Sequence, residues 1–193
     1  MLGINLKSRR NKEIAKWFLA SILYSKPIRE SSATRTYQCF EKRRVTTAKR
    51  IVEVGWDRLV SILDEGGYTR YDFSTATRLL EIFGNLEKHY HGDLTKLYEA
   101  SKDGAELEAN LKRLGKGIGD TTISVFLRDM MHIWKKAEPK PTPLVTLALK
   151  RLRISNIRCY AEKHKIDEVR LQTALLRYSK LFLKTGKRFR VVP

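Results

Sequence analysis

The chain is short of several things at once, and each shortage removes a class of protein. Two cysteines among 193 residues, Cys39 and Cys159, cannot build a disulfide framework, and no histidines stand near them at metal-ligand spacing. The expectation is an intracellular, reduced protein, cytoplasmic or nucleoid-associated, with no metal and no cofactor. Long apolar runs are missing too: none approaches the ~20 residues that cross a bilayer, and the stretch from Met1 to Arg10 lacks the apolar core of a secretion signal. β-Branched residues do not fall into alternating runs bounded by turns, so nothing reads as a sheet. Acidic side chains are scarce: Asp and Glu number 21 against 39 Lys and Arg, and the formal net charge is +18. That excess runs along the whole chain and points to a polyanionic partner, nucleic acid first. A solvated basic surface, as in ribosomal proteins, and a membrane-surface role are the alternatives.

What is present is apolar residue at helical spacing, 42% of the chain being hydrophobic. Ile14, Trp17, Phe18 and Ile22 form one such face; Ala76, Leu79, Leu80, Phe83 and Leu86 a second; Ile123, Phe126, Leu127 and Met130 a third. Val145, Ala148, Leu149 and Leu152, then Leu171, Ala174, Leu175, Tyr178 and Phe182, complete the series. The fold class is therefore all-α. Breakers separate these faces at Lys26-Pro27, Gly55, Gly66-Gly67, Gly92-Asp93, the Gly115 to Gly119 segment and the cluster Pro139, Pro141 and Pro143. The longest irregular stretches are expected at Lys26 to Thr36 or at the proline cluster.

One segment carries chemistry. Leu111 to Ile123 reads LKRLGKGIGDTTI, a Gly-Ile-Gly turn between two amphipathic helices. Glycines there allow positive φ and a close backbone approach, the first N–H groups of the second helix face outward, and Lys116 adds a cation. Such a turn can hold a phosphate oxygen without reading bases. The bland reading of a lone Gly-x-Gly is a plain helix connection.

The order of segments around it, Ala20 to Lys26, Glu53 to Val60, Gly67-Tyr68 leading into the helix from Ala76 to Tyr90, then Gly92-Asp93-Leu94 and the hairpin, resembles the helix-hairpin-helix DNA glycosylase superfamily of endonuclease III type, from about residue 12 to about residue 155. The resemblance implies one unit over 1–193 built as two packed helical subdomains: a central one at about 30–135 that includes the hairpin at 111–127, and a second made of about 1–29 plus 136–193. It implies double-stranded DNA as partner, held between the subdomains with a flipped nucleotide, and base excision through an oxocarbenium-like transition state that needs a carboxylate near the sugar. Lys116, Gly117, Gly119 and Thr121 would contact DNA, and Lys26 would occupy the position that fills the gap left by the flipped base.

The sequence departs from that family where the chemistry sits. Thr142 stands where the family carries its catalytic Asp. Counting forward from the hairpin lands on Glu138 instead, which becomes the candidate catalytic carboxylate. Thr121 stands where bifunctional members carry a Schiff-base Lys, so an amine-driven lyase is not expected. The cysteine-rich tail that holds an iron–sulfur cluster in many relatives is absent. The expectation is a monofunctional DNA glycosylase, with a catalytically inactive DNA-binding relative, a lesion sensor or complex subunit, as the alternative. Asp120 reads as the first residue or cap of the second hairpin helix, Asp129 as a charged surface position, Trp56 as a core aromatic and Tyr68 as a loop aromatic. His89 and His91 read as surface histidines. Lys184, Lys187, Arg188 and Arg190 form a basic tail that can track phosphates.

Overall fold

The computed structural model of the chain describes residues 2–183. Those residues are all-helical, with no strand among them. In order they form α1 (Asn11–Tyr24), α2 (Glu30–Lys42), α3 (Ala48–Glu65), α4 (Asp72–Tyr90), α5 (Leu94–Ala100), α6 (Gly104–Arg113), α7 (Asp120–Met130), α8 (Pro143–Arg151), α9 (Ile157–Lys163) and α10 (Glu168–Tyr178). They divide into two compact units, the boundary falling between Glu138 and Pro139.

The first unit is organised around α1. Ile14, Ala15, Phe18, Leu19, Ala20, Ile22 and Leu23 are all buried, which for a helix means apolar contact on nearly every side. Each large apolar side chain so enclosed contributes roughly 1.5–3 kcal/mol. Phe18 meets Phe83 of α4 edge-on at 5.8 Å and Phe126 of α7 at 5.0 Å, and Trp17 Nε1 donates to the Phe126 carbonyl at 3.1 Å. Residues 1–29 therefore group with the helices that follow them, not with 136–193. The expected partition placed α1 elsewhere because family order, unlike burial, does not register how many faces of a helix are apolar.

Two further expectations are corrected by packing. The stretch Lys26 to Thr36 is irregular only as far as Arg29; α2 begins at Glu30 and buries Ala33, Thr36, Tyr37 and Phe40. That stripe has helical spacing, but two of its four members, Thr36 and Tyr37, are not simple apolar residues, so the pattern escaped notice. Gly55 breaks the helix as expected: its φ of 73° and ψ of 175° are non-helical, and α3 continues past it only across a kink. Trp56, just past the kink, lies on the surface beside Phe73 with ring centroids 5.4 Å apart, while Tyr68 is buried and donates its hydroxyl to the Leu23 carbonyl at 2.6 Å.

Three helices stop on a cation. Arg44, Arg153 and Lys165 adopt left-handed backbone (φ 58°, 56° and 53°) where glycine is the usual occupant. After each, the next amide reaches back to close the final turn: Val45 to Phe40, Ile154 to Leu149 and Ile166 to Ala161, each at 2.9 Å. The positive charge suits the negative end of the helix, which offsets part of the backbone strain. The second unit has a small core of Val145, Ala148, Ala161, Leu171 and Leu175, and Ser179 Oγ donates to the Leu144 carbonyl at 2.6 Å.

Two glycines separate packing from conformation. A Cβ on Gly66 would fall inside Thr36 of α2, backbone included, whereas one on Gly84 in α4 meets nothing within 4 Å. Gly66→Ala should lower unfolding stability by roughly 1–3 kcal/mol, and Gly84→Ala should raise it by about 0.5–1 kcal/mol. Denaturant titration of both variants checks the contrast; equal shifts would deny the close approach of α2 to the end of α3.

Candidate nucleic-acid interface

The segment from α6 to α7 is a helical hairpin whose ends are defined locally. Asp103 caps α6 by accepting from Glu106 N at 2.8 Å, and Glu106 returns the favour by accepting from Lys102 N at 2.7 Å. Leu107 and Leu111 bury the inner face of α6, and Ile123, Phe126, Leu127 and Met130 that of α7. Between them Leu114 and Ile118 turn inward and Lys116 outward.

The turn is seated on α4. Asn85 Nδ2 donates to the Leu114 carbonyl at 2.9 Å. Gly115 has no room for a side chain, since a Cβ would stand 3.0 Å from both Glu81 and Ile82. Gly117 needs to be glycine for its φ of 110°; the Arg78 Cδ that a Cβ would meet at 2.9 Å belongs to a flexible side chain. Gly119 behaves differently from expectation. Its φ of −99° and ψ of −177° suit any residue, and its Cβ position is open, so it serves by leaving the start of α7 uncovered, not by allowing positive φ.

The first intrahelical bond of α7 runs from Ile123 N to the Gly119 carbonyl at 3.0 Å. The amides of Asp120, Thr121 and Thr122 precede it and carry the positive end of the helix dipole. Asp120 is the first residue of α7, and Lys112 Nζ meets its carboxylate at 2.6 Å, which closes the hairpin and tempers the one negative charge at its tip. The Lys112 pKa is raised by that hydrogen bond.

Behind the turn, Glu81 of α4 lies against Gly115 and Arg78 against Gly117. Lys26, half-buried after the end of α1, has its ammonium pushed below the ordinary lysine value by burial and then by the like charge of Arg78. Arg78 thus lies under Gly117 and near enough to Lys26 for the two charges to repel. Neither Lys26, Arg78 nor Lys116 makes an ion pair among the described residues. Arg78 is an ordinary polar position on an amphipathic helix, and no local pattern marks it.

The carboxylates are placed elsewhere. Glu138 is exposed and stands against the start of α6, its Cβ 4.0 Å from where a Cβ on Gly104 would be. Since α6 spans 10 residues, the turn lies about 15 Å further along its axis. Asp129 is on α7, partly buried; Arg128 holds it through Nε at 3.0 Å and Nη2 at 2.6 Å. Burial nonetheless pushes its carboxyl above the usual value, against Arg128 and His132. Thr121 is exposed on the first turn of α7. Thr142 precedes α8 in the second unit, its buried hydroxyl without a partner. Lys184, Lys187, Arg188 and Arg190 lie outside the described residues.

Comparison of the chain with protein-family models, with curated proteins and with solved structures found no match.

Gly117→Ala should cost roughly 1–3 kcal/mol of stability through the left-handed backbone, while Gly119→Ala should stay within about 1 kcal/mol of the parent. Chemical denaturation distinguishes the two, and a neutral Gly117→Ala would contradict the seated turn. A second expectation concerns Asp129. Its raised pKa means that its contribution to stability is full below the unfolded value and fades as pH climbs through the folded one. Carbon-detected titration should find its midpoint above that of an exposed aspartate, and Arg128→Met should move the midpoint higher still. A fall in that variant would show that Arg128 does not stabilise the carboxylate.

Proposed function

We propose that the protein binds duplex DNA by its sugar-phosphate backbone through the α6–α7 hairpin and excises a damaged, mismatched or modified base as a monofunctional DNA glycosylase. The observation that supports the binding is Arg78 lying under Gly117, next to Lys116 of the turn and within electrostatic reach of Lys26, with none of the three in an ion pair among the described residues. A phosphate oxygen accepting from the first amides of α7 would relieve the repulsion between Lys26 and Arg78. Such contacts set position and register and carry no base information.

Excision requires the target nucleotide to leave the stack, because its glycosidic bond is inaccessible within the duplex. A carboxylate then stabilises the oxocarbenium-like sugar while water takes the anomeric carbon. Glu138 is the acid we assign to that step, reached as the flipped sugar extends from the hairpin along α6. Asp129 is its rival, since a carboxyl with a raised pKa is suited to proton transfer. The imine route is not available at Thr121.

The second reading, a DNA-binding relative without catalysis, is favoured by one pair of positions: Thr121 and Thr142 stand where the resemblance asks for an amine and an acid. One experiment separates the two. Duplexes carrying uracil, thymine mismatches, oxidised purines, alkylated bases and modified cytosines are incubated with the protein and treated with hot alkali to reveal abasic sites. Release of any base, abolished in Glu138→Gln with duplex affinity unchanged, is the expected result; release abolished instead in Asp129→Asn transfers the role to Asp129. No release, with salt-sensitive duplex binding intact, leaves the non-catalytic reading. For binding itself, Lys26→Ala, Arg78→Ala and Lys116→Ala should each lower duplex affinity irrespective of sequence and reduce the slope of log K against log salt by about 1. Unaltered slopes in all three, or tighter binding to RNA than to duplex DNA, would remove the hairpin from this role.

A further inference from the structure

A basic cleft lies well away from the hairpin. Lys12 and Lys16 of α1, Glu41 of α2, Arg44, Thr46 and Thr47 of the following turn, and Arg50 of α3 line a space of about 570 Å³. Lys12 and Lys26 stand near opposite ends of α1, a helix of 14 residues, so about 20 Å separates this cleft from the hairpin cations. None of its residues belongs to α6, α7 or their turn.

Two of its four cations are already committed. Lys16 Nζ is held by Glu13 at 3.3 Å and Glu41 at 3.1 Å, and Arg50 by Glu53 at 3.1 Å. Burial works against the charge on Lys16, but hydrogen bonds to Glu41 and Glu13 prevail and raise its pKa. Lys12 and Arg44 have no ion pair among the described residues. Even with all three carboxylates counted, the cleft and its rim stay net positive, and the uncompensated charge sits at Lys12 and Arg44.

Thr46 indicates what that charge is for. The residue is only 3% exposed, it lines the cleft, and its hydroxyl makes no hydrogen bond among the described residues. A hydroxyl that opens to the cleft and that no protein group engages can donate to a ligand there. Beside it, Thr47 Oγ1 accepts from Arg50 N at 3.4 Å, so its own proton is directed elsewhere. Two hydroxyl donors, an ammonium and a guanidinium around one space match an acceptor-only ligand with several oxygens and negative charge. We infer that this cleft, with Lys12, Arg44, Thr46 and Thr47 as its donors, is a binding site for a phosphate group, separate from the hairpin. The volume holds a phosphate together with the group it esterifies. The phosphate comes either from a small phosphorylated molecule or from a nucleic-acid backbone.

The test uses the full chain, isotopically labelled, titrated with inorganic phosphate and then pyrophosphate at constant ionic strength in chloride. Saturable shifts of the Thr46 and Thr47 amides are expected, with affinity at least tenfold weaker in the double variant Lys12→Gln, Arg44→Gln. Both side chains are on the cleft wall and outside the core, so that variant should keep the parent spectrum elsewhere. Thr46→Val, nearly the same shape without the hydroxyl, should weaken binding severalfold, and this variant separates a donor from simple charge attraction. Shifts no greater than those produced by added chloride, or equal affinity in the double variant, overturn the site. Duplex binding then identifies the source. A lower duplex affinity in the double variant assigns the cleft to a backbone phosphate, and unchanged duplex affinity with weakened pyrophosphate binding assigns it to a small molecule.

Discussion

The first unit depends on the absence of side chains where the α6–α7 turn lies on α4. Gly115 sits 3.0 Å, at its would-be Cβ, from Glu81 and Ile82, and Gly117 packs over the stem of Arg78. That closeness lets Asn85 pin the Leu114 carbonyl and lets Ile118 turn inward. The direction in which α7 leaves the turn follows, and with it the orientation of its first amides. Phe126, further along α7, then meets Phe18, and Trp17 reaches the Phe126 carbonyl. One backbone contact thereby couples the candidate binding surface to the buried helix at the centre of the unit.

Charge is distributed with more economy than the total of +18 suggests. Some cations serve as structure: Arg44, Arg153 and Lys165 terminate helices, and Lys136 binds the carbonyls of Tyr98 and Ser101 at the end of α5 while lying 4.6 Å from the Tyr98 ring centre. Others are neutralised in pairs, such as Arg43 with Glu65. Lys26 and Arg78 near the hairpin, and Lys12 in the cleft between the start of α1 and the start of α3, make no ion pair among the described residues. Like charges held near one another on a folded surface oppose folding, a cost that a bound anion would relieve.

Catalysis sets a stricter geometric demand than binding. A phosphate can be held by any suitably placed cations and amides, but excision needs an acid within reach of a single sugar carbon. Glu138 stands at the far end of α6 from the turn. Asp129 has the more unusual carboxyl, though Arg128 occupies it.

Much of this was legible before any coordinates. Apolar spacing alone determines the helices at Ile14 to Ile22, Ala76 to Leu86 and Ile123 to Met130, because a 3.6-residue period needs only local information. The glycine spacing at 115, 117 and 119 likewise marks the hairpin. What tertiary structure decided was which of those features matter and what meets them. Gly66, read as a turn, is a contact with Thr36; Gly119, read as a conformational necessity, is open space; Arg78, unmarked in the sequence, lies under the turn beside Lys26. Helix α1, grouped by resemblance with the C-terminal helices, is buried within the first unit. The reason is the same in each case. Periodicity and turn chemistry are properties of neighbours along the chain, whereas close approach, burial and the pooling of charge depend on residues far apart in sequence, and only packing brings those together.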